Sequence, residues 1–448
     1  MIVMKFGGSS VESAAAIERV AGIVKARLAK KPVVVVSAMG KTTNKLLEIA
    51  NRAAGGNRDE ALSLLYELRD FHLRESGMER TVDEHFQELG ELVRGLAIMG
   101  ELTPRATDAV ASYGERLSSL IVTRLFQRHG MNAVHLDARK LIVTDQRHTQ
   151  AAPLPSASYE RMAEAIPPLF DWPSAVVVMG GFIAATADGV TTTLGRGGSD
   201  YSASLIGAGI GAEEIQIWTD VDGMLTCDPT ILKGGHRVKA ISFAEAAELA
   251  YFGAKVLHPA TVVPAVEKNI PVMILNSRRP EAPGTRIVAE AVPCANAVKS
   301  IACKKNIALV NVHSTRMLMA YGFLKRIFEI FDRYETPVDM VATSEVSVSL
   351  TIDNTTRLRL ICEELRQFAE VTIDENQAIV CLVGDNIRYT PGVAAAVFRA
   401  LGQINVRMLS QGASKLNLSF VVAAEDLVPA VESLHREFFT ELDPAVFD

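Results

Sequence analysis

The sequence of 448 residues has no apolar run long enough to span a bilayer, and Met1 to Phe6 leads straight into a strand-like segment without a signal-peptide pattern. Both absences point to a cytoplasmic protein. Cysteine is scarce: Cys227, Cys294, Cys303, Cys362 and Cys381 are odd in number and scattered, and no two form a CxxC pair. A disulfide framework and a zinc ribbon therefore lack their ligands, and reduced, mostly buried thiols are expected. Positive charge is not in excess either. Forty-six Lys and Arg against 52 Asp and Glu leave a net charge of -6, which gives no electrostatic reason to expect nucleic acid or an anionic membrane as a partner. The remaining composition, 48% apolar and 22% charged, is that of an ordinary globular protein whose default partners are small molecules. Its length calls for two or three domains, since one core rarely serves so long a chain.

The first part of the chain alternates β-branched runs with helical periodicity. IVMKF (2–6) is followed by a helix with Ile17, Val20, Ile23, Val24 and Leu28 on one face and then by VVVVS (33–37), a βαβ pattern. From about Asp59 to Leu120 the pattern is helical, and strands are expected again at 133–138, 174–180, 215–220 and 271–275. Wholly apolar strands separated by helices predict a mostly parallel sheet covered on both faces. TADGVTTTLG (186–195) predicts a hairpin turning at Asp188-Gly189. The stretch 281–300, rich in Pro, Gly and Ala without periodicity, has the composition of a linker. Beyond it lies an internal repeat: with Gly322 set against Gly392, Phe328 matches Phe398, and Val338 and Met340 match Val406 and Met408. Each copy, about 306–375 and 380–445, predicts strand, glycine-opened helix, two strands and helix. Neither contains a cluster of catalytic residue types, which suggests binding.

Three segments carry chemistry. In KFGGSS (5–10), Gly7 and Gly8 leave backbone N–H groups and a helix N-terminus open to phosphate oxygens, and Lys5 brings a positive charge to where negative charge develops in phosphoryl transfer. A tight βα turn is the plainer explanation of the glycines. GKTT (40–43) resembles the end of a P-loop, but that loop requires glycine where Val35 stands, so SAMGKTTN (37–44) is instead a strand end that faces a ligand or a helix capped by Thr42, Thr43 or Asn44. In TTTLGRGGSDYSASL (191–205), a glycine loop delivers Arg196, Ser199 and Asp200 to a helix N-terminus, and Arg196 can grip a carboxylate through two parallel hydrogen bonds. Glu115 in SYGERLSS, Thr219 and Asp220 in WTDVDG, and Lys255 in FGAKVLHP each have an ordinary surface or turn explanation when taken alone.

Together KFGGSS, GERLS, GGF (180–182), TTTLGRGGSD, WTDVDG, FGAKVLHPA and TSEVSVS (343–349) resemble, nearly end to end and in order, the aspartokinases of the amino-acid-kinase superfamily, most of all the monofunctional lysine-sensitive type. The resemblance implies a three-layer α/β/α catalytic domain with a mostly parallel sheet (1–288), a linker and first strand (289–305), and two ferredoxin-like βαββαβ ACT domains (306–375 and 376–448). In that arrangement 299–315 is the stretch able to intertwine with the second ACT domain. It also implies ATP and L-aspartate as substrates, with Mg2+ held mainly by the ATP phosphates and not by a protein cluster. Lys5 and Asp200 would be catalytic. Lys5, Gly7, Gly8, Ser9, Thr219, Asp220, Leu225, Thr230, Lys255 and Val256 would hold ATP, although relatives commonly carry Tyr and Arg where this chain has Leu225 and Thr230. Aspartate would be held by Thr43, Glu115, Phe182, Arg196, Gly197, Gly198 and Ser199. An inhibitory amino acid would contact Met317, Ala320, Phe323, Leu324, Pro337, Val338, Asp339, Ser344 and Glu345. Ala320 and Pro337 stand where lysine-sensitive relatives have small hydroxyl residues, whereas Asp339 and Glu345 favour lysine over threonine. The length leaves no room for a fused homoserine dehydrogenase, and the ACT pair implies a homodimer or larger assembly. A threonine-sensitive aspartokinase, a kinase of acetylglutamate, glutamate or a nucleotide, and a catalytically inactive amino-acid sensor are the alternatives.

Overall fold

The computed structural model describes residues 1–253, 259–290, 293–315 and 321–448. The chain divides into two compact units, Met1–Met224 with Val256–Glu290, and Leu225–Lys255 with Ala291–Asp448.

In the first unit the strands are β1 (Ile2–Phe6), β2 (Pro32–Val36), β3 (Asn132–His135), β4 (Val143–Thr144), β5 (Ala175–Gly180), β6 (Ile183–Thr186), β7 (Thr191–Thr193) and β8 (Glu214–Thr219). After the short β9 (Ala240–Ser242) of the second unit follow β10 (Val272–Asn276) and β11 (Thr285–Val288). The main sheet runs β3-β5-β2-β1-β8-β10-β11. Its pairings are parallel until β11, which returns antiparallel to β10. β2 and β5 are buried at every position, as strands covered on both faces must be. β1 alternates: Ile2, Met4 and Phe6 enter a core cluster with Ile17, Val34, Leu46, Leu117 and Val176, so Val3 and Lys5 face the other side of the sheet.

Helices α1 (Ala14–Lys25), α2 (Thr42–Ala54), α3 (Arg58–Ser76), α4 (Glu79–Met99), α5 (Pro104–Ala111), α6 (Tyr113–Arg128), α7 (Pro155–Ala165) and α8 (Gly198–Ile210) account for the helical stretches. The chain leaves β1 toward β2 on one side and later returns as β8 on the other, so the carboxyl end of β1 is a switch point of the sheet, the place where open α/β sheets bind ligands. Among the described residues no helix is long and apolar enough to cross a membrane.

The hairpin expected at 186–195 is present as β6 and β7, with Gly189 at φ +81° in its turn. Two expectations are corrected. The strand expected over 133–138 stops at His135, because the Asp137 carboxylate accepts the Arg139 N–H at 3.1 Å and starts a 3₁₀ turn. The stretch with linker composition contains β11, whose alternation buries Thr285 and Ile287.

The second unit carries α9 (Phe243–Tyr251), and the short α10 (Val263–Glu267) belongs to the first. Then follow β12 (Ser300–His313), α11 (Phe323–Arg333), β13 (Val341–Thr343), β14 (Ser347–Ile352), α12 (Leu358–Leu365), β15 (Glu370–Val383), α13 (Val393–Leu401), β16 (Met408–Gln411), β17 (Asn417–Ala423) and α14 (Leu427–Phe438). Their antiparallel sheet has the order β13-β14-β12-β15-β17-β16. The order reads the same from either end once the repeat is allowed for, and the two 14-residue strands β12 and β15 pair at its centre, from Ser300 opposite Val383 to His313 opposite Glu370. Gly322 and Gly392 open the matching helices at φ +79° and +85°, where a side chain would be strained. Ile327, Phe331, Ile361 and Leu365 pack on Val310 and Leu350. A Lys299–Glu245 ion pair at 2.9 Å, wholly buried on both sides, ties α9 to the start of β12.

Candidate active site

The turn after β1 is built for close approach. The Gly7 N–H donates to the Trp218 carbonyl at the end of β8, and the Gly40 N–H to that of Gly8. A Cβ on Gly8 would lie 2.8 Å from the Gly40 carbonyl oxygen and 3.0 Å from that of Ala38, both backbone, so only glycine fits. Lys5 has no room to wander. Its ammonium sits over Gly7 and 2.6 Å from Asp200 Oδ1, with the two side chains only 12% and 15% exposed. Asp200 lies in the first turn of α8, where the helix dipole favours a carboxylate. A lysine on the central strand and an acid at a helix start, 195 positions apart in sequence, thus form one ion pair.

Around that pair Lys5, Ser37, Thr43, Glu115, Phe182, Gly195, Gly197, Gly198, Ser199 and Asp200 line a single pocket of about 280 Å³. Gly195 and Gly197 both take φ of +73°, which lets the loop turn twice and present Arg196, exposed between them, before α8 begins at Gly198. Phe182 is held at φ +63°, a strained value for an aromatic residue; its N–H receives no such freedom, because it donates to Ser202 Oγ at 2.9 Å while its carbonyl accepts from Leu194. Ser37 Oγ donates to Ser199 Oγ at 3.0 Å. This joins the end of β2 to the glycine loop.

Glu115 belongs to α6 and, unlike most helical glutamates, is 3% exposed. One carboxylate oxygen accepts the Ala38 N–H at 3.1 Å, and the other is buried without a hydrogen-bond partner. Burial pushes its carboxyl up to about 8, against the lowering effect of the Ala38 N–H. A buried acceptor aimed into a pocket with no donor is suited to a ligand's ammonium group.

The other predicted positions are spread more widely. Thr219 ends β8 beside the β1 turn and Asp220 follows it; the Thr219 hydroxyl donates to Asp220 at 3.2 Å, and its carbonyl accepts from Ser277. Leu225 and Thr230 fall in the second unit, where Thr230 donates twice to Asp228 in a tight turn. Phe323 and Leu324 open α11, Pro337, Ser344 and Glu345 are exposed, and Val338 packs on the neighbouring core. Asp339 is nearly enclosed and pairs with Lys304 at 2.6 Å, which also reaches Asp353 at 2.7 Å. Lys255, Val256, Met317 and Ala320 lie outside the described residues.

Sequence reasoning missed Ser37, Gly195 and the Ala38 N–H, although SAMGKTTN had marked that strand end as facing a ligand. The cap expected from Thr42, Thr43 or Asn44 is absent: α2 follows Lys41 without a side-chain cap, and the Thr42 hydroxyl donates to the Met39 carbonyl at 2.6 Å. Thr43 is thereby left free to line the pocket.

The sequence pattern of the amino acid kinase family matches residues 1–276, and that of an ACT domain matches residues 380–438. Aspartokinase 2, chloroplastic, of Arabidopsis thaliana is 40% identical over 99% of this chain and 85% of its own length. The chain belongs to the aspartokinases of the amino acid kinase family. Lysine-sensitive aspartokinase 3 of Escherichia coli (strain K12) is another such relative, 37% identical over 98% of this chain and 99% of its own. The solved structure of E. coli aspartokinase III in complex with aspartate and ADP superposes with a TM-score of 0.84 at 35% identity, over 98% of this chain and 100% of that one. The aspartokinase fold class expected from sequence, a kinase domain with a mostly parallel sheet followed by ACT-type repeats, is the one observed.

Proposed function

We propose that this aspartokinase transfers the γ-phosphoryl group of MgATP to the β-carboxylate of L-aspartate, giving 4-phospho-L-aspartate and ADP, the entry step to the aspartate-derived amino acids. The observation that carries the proposal is the pocket in which the Lys5–Asp200 pair faces an unpartnered buried Glu115 across the Gly195–Ser199 loop. Glu115 takes the ammonium of aspartate, and Arg196, with Gly197, Gly198 and Ser199, takes its α-carboxylate. Thr43 and Phe182 shape the walls. The β-carboxylate is then directed toward Lys5, which neutralises the charge spreading over the transferring phosphoryl group, while Asp200 fixes the lysine's position. Gly8 and Ser9 offer backbone donors to the phosphates, while Gly7, whose N–H is engaged by the Trp218 carbonyl and not open to phosphate as its sequence suggested, leaves room for their approach, and Thr219 and Asp220 border the nucleotide. Lys255 and Val256 of the FGAKVLHP motif, and Leu225 and Thr230, are assigned to the nucleotide on the resemblance alone.

Mg2+ belongs to the substrate in this reading. Its ligands come mostly from the triphosphate, whose charge it offsets.

The repeat unit is assigned to feedback control in the cytoplasm, with lysine as the inhibitor, received near Phe323, Leu324, Pro337, Val338, Asp339, Ser344 and Glu345. Exposed apolar residues at matching places in the two repeats, Phe328 with Phe398 and edge-strand Val341 with Leu409, support a homodimer through this unit. The test is ADP release with aspartate, glutamate and acetylglutamate as acceptors, repeated with lysine or threonine. Aspartate-dependent release inhibited by lysine supports the proposal. Release driven by another acceptor, or none at all, refutes it, and inhibition by threonine alone reassigns the effector.

A further inference from the structure

Asp108 lies outside every motif that drew attention in the sequence, on α5, and its side chain is 1% exposed. A buried carboxylate must be fully engaged to be tolerated, and this one is. Oδ1 accepts the Thr193 hydroxyl at 2.6 Å and the Thr149 N–H at 3.0 Å; Oδ2 accepts the same N–H at 3.0 Å and lies 2.8 Å from His148 Nδ1. The donors come from two separate segments, the 145–151 loop and β7. β7 runs directly into Leu194, Gly195 and Arg196.

Two further observations tie these contacts to the pocket. Thr149 sits at φ +73°, a strained conformation for a β-branched residue, and its only backbone donor is clamped by the Asp108 fork. A Cβ on Gly195 would come within 3.3 Å of the Thr149 carbonyl oxygen and of Gln150 Cγ, and the Ala151 N–H donates to the Thr193 carbonyl at 2.9 Å. The strained loop is therefore the surface on which the glycine turn before Arg196 rests. Strain persists only where surrounding contacts over-determine it, and Asp108 supplies them.

We infer that Asp108 is a positioning residue: through Thr149 and Thr193 it fixes the Gly195–Ser199 loop so that Arg196 meets the α-carboxylate of the acceptor. This rests on the reading of that loop as the aspartate-binding element. It touches neither substrate itself. A preset guanidinium loses less freedom on binding than a loop that must be ordered each time, so the brace acts on aspartate affinity and not on the nucleotide.

Asp108→Asn keeps the size of the side chain but sets an amide donor against Thr149 N–H or His148. The expected result is a rise of about tenfold in the KM for aspartate, from the loss of hydrogen bonds to a charged acceptor, with the KM for ATP changed by less than about twofold. Amide exchange of residues 194–199 should quicken while that of β1 and β8 stays as in the parent protein. Thr193→Val removes one bond of the set and should move both readouts the same way by less. Unchanged aspartate KM with unchanged loop exchange overturns the inference, and so does a parallel rise in both KM values with a lowered melting temperature, which marks general destabilisation. The exchange readout needs no turnover: if the parent protein fails to phosphorylate aspartate, the reading of the pocket fails, while loop exchange in the two variants still decides whether the brace exists.

Discussion

Glu115 makes the binding of aspartate dependent on pH in a direction and amount that follow from its burial. Its carboxyl titrates at about 8 in the unliganded protein, so over most of the physiological range it is protonated, whereas an ammonium ligand needs it ionised. Binding must then expel a proton, and the apparent KM for aspartate falls as pH rises until the carboxyl is ionised without help. Between pH 8.5 and pH 6.5 the ionised fraction drops by about 25-fold for a group titrating at 8, and the KM for aspartate should rise by about that factor. Stability moves with the same group. Because the native value is raised above the unfolded one, the stabilising contribution is fully present below the ordinary carboxylate range and is lost as pH climbs through about 8. Initial rates of ADP release at varied aspartate, taken at half-unit steps of pH with saturating MgATP, measure the first effect. Glu115→Gln, of the same shape and without charge, should bind aspartate poorly and flatten the profile. A KM for aspartate that is level across this range in the parent protein refutes the reasoning, because the buried oxygen would then not be the ammonium's partner.

Two other substitutions probe packing, one beside the pocket and one within the second unit. Gly198→Ala would put a Cβ 2.7 Å from Phe182 Cδ2 and 3.1 Å from Phe182 Cα; overpacking of this kind costs about 1–3 kcal/mol, so calorimetry should show a lower melting temperature and kinetics a higher KM for aspartate. Lys299→Met strands the Glu245 carboxylate, 0% exposed, without its cation, and breaking such a pair costs about 3–5 kcal/mol. Urea unfolding should detect that loss, and the double variant with Glu245→Gln should recover most of it; a single variant as stable as the parent protein contradicts the buried-pair assignment.

Much of this was legible in the chain itself. The unbroken apolar runs VVVV and AVVVM signal a covered parallel sheet, Gly322 and Gly392 mark the repeat, and the glycines around Arg196 mark the loop. What periodicity does not carry is the meeting of distant segments. Glu115 looks like any helical glutamate until α6 is packed beneath the end of β2, and only then does its carboxylate lose water and gain the Ala38 N–H. Asp108 is likewise one acid among many in sequence, because its three partners lie 40, 41 and 85 positions away. β11 was hidden by the Pro and Gly at 283 and 284, which belong to the turn that returns the chain to β10, where Gly284 at φ +69° would set a Cβ 2.1 Å from the Ile274 carbonyl oxygen.

The central claim is that Lys5 and the Arg196 loop act on the two substrates within one pocket, and trapping the product tests it most directly. An acyl phosphate made at the β-carboxylate reacts with hydroxylamine to give aspartate β-hydroxamate. The parent protein with MgATP and aspartate should form it, and Lys5→Met, still folded by circular dichroism, should form it at least about 100-fold more slowly, as loss of a charge-stabilising group implies, with a melting temperature lowered by the loss of the Asp200 carboxylate's cation. Equal hydroxamate formation by the Lys5→Met variant would contradict the account.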